Sequence, residues 1–324
     1  MSKPKVFVSS KIPDQVEAYL NTFCDYEIWD KEEPISRKEL LEKIEDKSGL
    51  LGMGIAINEE LLEKAPHLKV VSNISVGYNN FDLEAMKSRK IIGTNTAGAL
   101  DETVADLIFG LMLASARRIC ELDKYVKKGQ WKSQDNVNLF GIDVHGATLG
   151  IIGMGRIGEA VAKRAKFGFD MKVQYHNRTR KYEIEEQMGV SYCSFEELLK
   201  SSDFIVLMLP LTEATYHIIG SKEFVLMKRE AVFINASRGQ TVDEGALIEA
   251  LRTGVIGGAG LDVYETEPVL ADNPLLEMPH VVTVPHIGSA TANTRLNMAM
   301  TAAKNLEFAL SGKMPPQCVP ELKF

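Results

Sequence analysis

Cysteine is scarce in this chain of 324 residues, and its spacing fits neither of the common structural uses of cysteine. The four cysteines are far apart, form no C-x-x-C pair and stand among apolar residues: Cys24, Cys120, Cys193 and Cys318. A disulfide framework or a zinc site would need pairs at short, regular spacing. We therefore expect reduced thiols in the protein core, no bound metal and a cytoplasmic protein.

Long apolar runs are also missing, since no stretch approaches the roughly 18 residues that a membrane span needs. The first residues lead directly into the apolar run Val6-Phe7-Val8, so we expect neither a signal peptide nor membrane association. Acidic residues outnumber basic ones and the net charge is −7, which argues against a nucleic-acid surface. The composition, 45% hydrophobic and 25% charged, is typical of globular proteins.

Short apolar runs alternate with helical segments along nearly the whole chain. We predict strands at residues 5–9, 26–29, 50–53, 69–74, 149–152, 172–176, 204–208, 231–235, 259–262 and 281–284. Between them the periodicity predicts helices, including 13–23, 36–44, 101–118, 156–166, 243–252 and one from about 294. Strands that alternate with helices predict parallel sheets, so the fold class is α/β with doubly wound sheets.

Three glycines after the strand at 149–152 have the spacing G-x-G-x-x-G: Gly153, Gly155 and Gly158. The first allows a tight turn, the second lets backbone approach a pyrophosphate, and the third allows close packing of helix on strand. The helix that follows would point its first amides at the phosphates. This context predicts dinucleotide binding, and the alternative is a glycine-rich turn in a sheet without a ligand.

The turn after the next strand indicates which dinucleotide is bound. An NAD site usually has an acid about 20 residues after the glycines, to bind the ribose 2′-hydroxyl. Asn177 occupies that place here, and Arg178, Arg180 and Lys181 follow it closely. Guanidinium and amide donors suit a 2′-phosphate, so we predict a preference for NADP(H), with NAD(H) possible. The alternative is a solvated basic turn.

Three later strand ends carry side chains that suit reduction of a carbonyl group: Arg238, Glu267 and His286. Histidine can donate the proton to the oxygen as hydride reaches the carbon, and a neighbouring carboxylate favours its charged form. Arginine can bind a substrate carboxylate through two hydrogen bonds. The turn after the strand at 69–74 also exposes the amides of Val76 and Gly77, which could bind an anion. The alternative there is an ordinary turn.

These residues and their neighbours resemble the D-isomer-specific 2-hydroxyacid dehydrogenases, and within that family the glyoxylate/hydroxypyruvate reductases. The resemblance covers essentially the whole chain. It is carried by Val76-Gly77-Tyr78-Asn79-Asn80-Phe81-Asp82, the three-glycine motif, Asn235-Ala236-Ser237-Arg238-Gly239, Gly260-Leu261-Asp262-Val263-Tyr264-Glu265-Thr266-Glu267-Pro268 and Pro285-His286-Ile287-Gly288-Ser289-Ala290.

The resemblance implies two Rossmann-like domains with the active site in a cleft between them. Residues 1–99 with 289–324 would bind the substrate and residues 100–288 the dinucleotide. It also implies a homodimer formed largely through the dinucleotide-binding domains. The substrate would be a small 2-ketoacid, reduced to the D-2-hydroxyacid.

The resemblance also implies roles for individual residues. Arg238, Val76 and Gly77 would bind the substrate carboxylate, Glu267 would pair with His286, and His286 would be the acid and base. The residues that line the cofactor would be Thr103, Gly153, Gly155, Arg156, Ile157, Gly158, Asn177, Arg178, Thr179, Ala236, Ser237, Asp262 and Gly288.

One position departs from the pattern of some hydroxypyruvate reductases of this family, which carry there a tryptophan that reaches a neighbour's active site. Here it is Asn138, so the identity of the ketoacid stays open. A 2-ketogluconate reductase is an enzymatic alternative, and so is an NAD-dependent phosphoglycerate dehydrogenase, although the latter would need an acid at Asn177. A dinucleotide-sensing regulatory protein of the same fold is the non-enzymatic alternative.

Overall fold

The computed structural model describes residues 3–134 and 139–324. The chain divides into two compact units: Met1–Leu100 together with Ala290–Phe324, and Asp101–Ser289. Each unit contains its own parallel β-sheet, so the predicted α/β class is confirmed. The sequence predicted boundaries after residues 99 and 288. The observed boundaries fall after residues 100 and 289, one residue later in each case.

The first unit is built on five parallel strands in the order β2-β1-β3-β4-β5. Their bounds are β1 Lys5–Val8, β2 Asp25–Ile28, β3 Gly49–Gly52, β4 Val70–Asn73 and β5 Ile92–Thr94. The central strand β3 and its neighbour β4 are buried along their whole length, as expected where helices cover both faces. The sequence did not predict β5, which has only three residues and lies at the edge.

Helices cover this sheet on both faces. They are α1 Asp14–Phe23, α2 Arg37–Ile44, α3 Glu59–Lys64, α4 Leu83–Ser88 and the last helix of the chain, α12 Ala292–Leu310. Ser36 and Glu39 form a capping box at the start of α2. Helix α12 returns to pack on β3, where a side chain at Gly49 would meet Leu306 at 2.9 Å. The C-terminal segment therefore completes the core of the first unit.

The second unit is built on seven parallel strands in the order β12-β11-β10-β9-β6-β7-β8. Their bounds are β6 Thr148–Ile152, β7 Lys172–His176, β8 Ser191–Tyr192, β9 Phe204–Leu207, β10 Val232–Asn235, β11 Gly258–Leu261 and β12 Val281–Thr283. Strands β7 and β8 follow β6 towards one edge of the sheet. Strands β9 to β12 start on the other side of β6 and continue towards the opposite edge. This reversal of strand order opens the crevice in which α/β sheets bind ligands.

The helices of the second unit include three that the sequence did not predict, at residues 119–127, 182–188 and 221–226. They are α5 Asp101–Ala116, α6 Ile119–Lys127, α7 Arg156–Phe169, α8 Tyr182–Met188, α9 Phe195–Ser201, α10 Ser221–Leu226 and α11 Glu244–Arg252. Helix α5 was expected to run to Arg118. It ends at Ala116, because Arg118 adopts a left-handed backbone directly before α6. The Arg118 guanidinium binds Glu121 at 2.6 and 2.8 Å.

The cysteine prediction needs one correction. All four thiols are free, and Cys24, Cys193 and Cys318 are buried, but Cys120 is exposed on α6. Burial raises the pKa of Cys24 to about 12 and that of Cys193 to about 11. In the part of the chain that the structure describes, no helix has the length and apolar character of a membrane span.

Candidate active site

Three neighbouring strands of the second sheet bring the predicted catalytic side chains to one edge. Arg238 follows β10, Glu267 follows β11 and His286 follows β12. These strands are adjacent and parallel, so their carboxyl ends meet although the three residues are far apart in sequence. This edge is where parallel sheets place their ligands.

His286 and Glu267 form a hydrogen-bonded pair. Nδ1 of His286 lies 2.7 Å from Oε2 of Glu267, and the amide of Tyr264 donates to Oε1 of the same carboxylate at 3.1 Å. The hydrogen bond to Glu267 raises the pKa of His286, against the opposing effect of burial. Burial would raise the pKa of Glu267, but hydrogen bonds from His286 and Tyr264 lower it overall. Because Nδ1 donates to the carboxylate, Nε2 is the ring nitrogen left for a substrate.

Asp262 holds the turn that carries His286. His286 has a left-handed backbone with φ of 51°, a conformation that costs energy for any residue with a side chain. The buried Asp262 carboxylate, whose residue is 1% exposed, accepts the amides of Ile287 at 2.6 Å and Gly288 at 2.9 Å. These two bonds fix the backbone on the carboxyl side of the histidine. Burial raises the pKa of Asp262, and these amides oppose that rise.

The backbone of Arg238 is fixed by Asn235. The Asn235 amide group donates to the Arg238 carbonyl at 3.0 Å, and its oxygen accepts from the amide and hydroxyl of Ser237 at 3.0 and 2.9 Å. The guanidinium donates to the Ser237 carbonyl at 2.6 Å. No carboxylate among the described residues lies within ion-pair distance of the guanidinium. Burial lowers the pKa of Arg238. An arginine stays charged in proteins, so this side chain is available to an anion.

The glycine motif forms the cradle that a pyrophosphate needs. Gly153 has φ of 106°, and a Cβ there would lie 2.5 Å from the Met208 carbonyl oxygen. A Cβ at Gly158 would overlap the Gly153 carbonyl oxygen, whereas Gly155 faces open space. Among the described residues no side chain caps α7, which begins directly after Gly155. Its first amides therefore remain for an anionic ligand, and the site fits a dinucleotide.

The basic turn after β7 differs from its sequence interpretation. Arg180 and Lys181 were counted there as cations near the 2′-phosphate, but carboxylates of the same unit bind both. Arg180 makes two bonds to Glu185 at 2.8 and 2.7 Å, and Lys181 binds Glu159 at 2.6 Å. The exposed Arg178 has no hydrogen bond or ion pair with any described residue. Arg178 is thus the one cation of this turn without a partner in the described chain.

Asn177 has a second role in this turn. Its side-chain oxygen accepts the amide of Met154 at 2.7 Å, and its amide group donates to the Met154 carbonyl at 3.2 Å. Met154 lies between Gly153 and Gly155, so Asn177 ties the end of β7 to the glycine loop. An aspartate there could accept from the amide but could not donate to the carbonyl.

The remaining predicted cofactor residues lie in the second unit. Thr103 is in the first turn of α5, and Ile157 is in the first turn of α7. The Arg156 guanidinium lies 3.3 Å from the Asp101 carboxylate, also on α5. Ala236 and Ser237 directly follow β10, where the Ser237 side chain is occupied by Asn235. Thr179 is exposed beside Arg178, and Gly288 is buried against Asp262.

The predicted anion-binding turn of the first unit has its carbonyl groups occupied. The amide of Thr96 donates to the Ser75 carbonyl at 2.9 Å, and Asn95 donates to the Val76 carbonyl at 2.9 Å. The Ser75 hydroxyl donates to the Gly77 carbonyl at 2.7 Å. The amides of Val76 and Gly77 make no hydrogen bond with described residues. Carbonyls that already accept hydrogen bonds, beside free amides, are the arrangement that an anion needs.

Comparison with known proteins identifies the family of the chain. The family described as "D-isomer specific 2-hydroxyacid dehydrogenase, NAD binding domain" matches residues 109–288, more than half of the chain. The chain belongs to the D-isomer-specific 2-hydroxyacid dehydrogenase family. It is therefore an NAD(P)-dependent oxidoreductase, and the predicted family is confirmed.

Individual relatives of this dehydrogenase match over almost their full length. A glyoxylate/hydroxypyruvate reductase B from Enterobacter sp. (strain 638) is 48% identical over 317 residues, 98% of each chain. A glyoxylate reductase from Thermococcus litoralis is 48% identical over 322 residues, covering 98% of this chain and 97% of the relative. The crystal structure of an NADPH-dependent glyoxylate/hydroxypyruvate reductase from Sinorhizobium meliloti, in complex with NADP and malonate, has a TM-score of 0.87 at 31% identity, covering 100% of this dehydrogenase and 98% of that chain.

Sequence reasoning about this dehydrogenase missed residues that hold the site together. Asn235, the bracing role of Asp262 and the close approach at Gly239 were not predicted. One signal was available for Asn235, because asparagine often bonds to backbone two residues further on. The bonds from Asp262 cross between β11 and the turn after β12, and no local pattern reveals them. Asn138, the position that departs from some relatives, lies outside the described residues.

Proposed function

We propose that this dehydrogenase reduces glyoxylate or hydroxypyruvate with NADPH, giving the corresponding 2-hydroxyacid, of D configuration where it is chiral. The observation that carries the proposal is the His286–Glu267 pair beside an arginine without a carboxylate partner, on the sheet edge that also carries the glycine loop. The names of the relatives from Enterobacter and Thermococcus support the choice of ketoacid.

The roles of the side chains follow from their contacts. When bound, the cofactor supplies the hydride for the carbonyl carbon. Nε2 of protonated His286 donates a proton to the carbonyl oxygen as negative charge develops there. Glu267 keeps the imidazole charged and oriented through Nδ1. Arg238 binds the substrate carboxylate, and the Val76 and Gly77 amides are proposed as further donors to it.

The proposed cofactor preference is NADPH, with NADH as a poorer alternative. The Gly153, Gly155 and Gly158 loop and the start of α7 would hold the pyrophosphate, and Arg178 would bind the 2′-phosphate. The unpartnered guanidinium of Arg178 supports this choice. The absence of an acid at Asn177 argues against the alternative of an NAD-dependent phosphoglycerate dehydrogenase. Met1–Leu100 with Ala290–Phe324 is proposed as the substrate-binding domain, and Asp101–Ser289 as the dinucleotide-binding domain.

Oxidation of NADPH by a panel of ketoacids tests this proposal. Glyoxylate, hydroxypyruvate, pyruvate and 2-ketogluconate are assayed with NADPH and with NADH. We expect glyoxylate or hydroxypyruvate with NADPH to have the highest kcat/KM. A clear preference for 2-ketogluconate would move the enzyme to that alternative class. No turnover with any ketoacid, despite measurable NADPH binding, would favour the regulatory alternative.

We propose further that the enzyme is a cytoplasmic homodimer. Helix α6 and the residues after it present apolar side chains to solvent: Ile119, Val126, Trp131 and Phe140 are between 53% and 70% exposed. Apolar surface of this kind is typical of a protein interface. Sedimentation analysis should give a dimer, and Ile119→Glu with Val126→Glu should weaken it. A monomeric wild type at micromolar concentration would contradict the proposed dimer.

The free cysteines support the proposed cytoplasmic location, because thiols stay reduced in a reducing compartment. Cell fractionation tests this location.

A further inference from the structure

A second histidine–glutamate pair lies beside the first one. Nε2 of His217 is 3.1 Å from Oε1 of Glu265, and Glu265 stands two residues before Glu267 on the loop after β11. His217 also has a left-handed backbone, with φ of 49°. The proton transfer described above uses neither residue. The pair therefore needs an explanation of its own.

The backbone of Glu265 is held as firmly as its side chain. Oε2 of Glu244, at the start of α11, accepts the Glu265 amide at 3.0 Å. The side chain of Gln240 donates to the Glu265 carbonyl at 2.8 Å. Glu244 is itself oriented by Asn273, which donates to its other oxygen at 2.7 Å. Three side chains thus hold the amide, the carbonyl and the carboxylate of one residue, and we name His217, Gln240 and Glu244 the Glu265 clamp.

The Glu265 clamp joins the two loops that carry Arg238 and Glu267. Gln240 follows Arg238 by two residues, and its carbonyl accepts the amide of His217 at 3.0 Å. Gly239 lies between Arg238 and Gln240 and approaches the loop that carries Glu267. A Cβ at Gly239 would overlap the Tyr264 carbonyl oxygen. The amide of that same Tyr264 donates to Glu267. A shift of Glu265 would consequently move the Glu267 carboxylate and the arginine loop together.

A purely stabilising role explains the clamp poorly. The side chains of His217 and Glu265 are 30% and 34% exposed, and partly exposed polar pairs contribute little to the free energy of unfolding. Orientation is a stronger reason, since a displacement of about 1 Å in a catalytic group can cost about a hundredfold in rate.

We propose that His217, Gln240 and Glu244 are positioning residues, which hold the Glu265–Glu267 segment so that the Glu267 carboxylate stays on Nδ1 of His286. The proposal rests on the proposed function for its kinetic consequences, but the histidine–glutamate geometry can be measured without turnover. The charged groups that act on His286 are Glu267, Asp262 and Arg238, and the clamp touches none of these three side chains directly.

Variants at Glu265 and Gln240 test the proposal. Glu265→Ala removes the acceptor of His217, and Glu265→Gln keeps an acceptor there. Gln240→Ala removes the hydrogen bond to the Glu265 carbonyl from the loop that carries Arg238. NMR titration of the imidazoles, with His286 assigned through His286→Asn, reports directly on its carboxylate partner. We expect the pKa of His286 to fall in both alanine variants and to return towards the wild-type value in Glu265→Gln. The kcat/KM for the ketoacid should fall by up to about a hundredfold in the alanine variants.

The control is Glu249→Ala, which removes an exposed glutamate–arginine pair from α11. It should change neither the pKa of His286 nor the kcat/KM for the ketoacid. If the alanine variants lower the melting temperature but leave the His286 titration and the KM for the ketoacid unchanged, the clamp is merely structural and the proposal is wrong. If the His286 titration responds while the wild type reduces no ketoacid, the clamp stands and the proposed function fails. If Glu265→Ala does not fold, Gln240→Ala decides between these results.

Discussion

The loops after β10, β11 and β12 and the turn after β7 lie at the same edge of one sheet, but they use hydrogen bonds in opposite ways. In the three loops, the partners bind the backbone or only part of a functional group, and no carboxylate of the described chain binds the Arg238 guanidinium. Asn235 binds the Arg238 carbonyl, and Glu267 binds Nδ1 of His286. The guanidinium and Nε2 are thereby oriented and left for substrate.

In the turn after β7, the partners bind the charged groups themselves. Glu185 binds the guanidinium of Arg180, and Glu159 binds the ammonium of Lys181. A carboxylate bound to a cationic group neutralises its charge, whereas a partner bound to the backbone or to another atom of the side chain orients the functional group. The comparison therefore predicts that the three loops are sensitive at every functional residue, and that the basic turn is sensitive at Arg178 but not at Arg180.

The largest effect is expected from His286→Asn. Asparagine keeps a polar side chain but cannot supply the proton, so turnover of the ketoacid should fall by about a hundred- to ten-thousandfold. Binding of NADPH, measured by fluorescence titration, should stay near the wild-type value. Near-normal turnover at every pH would show that another group donates the proton.

A smaller effect, confined to one cofactor, is expected from Arg178→Ala. The loss of a charge-assisted contact should raise the KM for NADPH about ten- to a hundredfold and leave the KM for NADH almost unchanged. Arg180→Ala is the matched control, because Glu185 already binds that guanidinium, and it should change both constants little. Equal effects of the two substitutions would contradict the distinction drawn between these arginines.

The most subtle expected effect is a shift of the pH profile in Glu267→Gln. In the proposed mechanism the protonated form of His286 is the acid, so ketoacid reduction should fall as pH rises through its raised pKa. Removal of the carboxylate lowers that pKa, and the falling limb should move to lower pH. Initial rates measured from about pH 5 to 9 at saturating NADPH check this. Coincident profiles for the two proteins would remove Glu267 as the partner of the acid.

Local patterns in the sequence were sufficient for most of the fold. Apolar runs located ten of the twelve strands in the described residues to within one or two residues, because strands buried on both faces have a composition that does not depend on their partners. The short strands β5 and β8 escaped prediction, and so did the helices α3, α4, α6, α8 and α10. Two or three residues carry little pattern, and α6 has no buried residue among those described.

The sequence by itself determined which side chains could perform the chemistry. The three glycines needed only their spacing, and Arg238, Glu267 and His286 needed only their places after strands, because parallel strands end at a common edge. The tertiary structure alone decided which groups are free to act. Arg178 and Arg180 look equivalent in sequence, but Glu185 binds one of them and no described residue binds the other. Likewise, Asp262 and the Glu265 clamp act across strands that are distant in the chain. The physical reason is that a hydrogen bond depends on position within a few tenths of an ångström, and only the packed fold sets positions that closely.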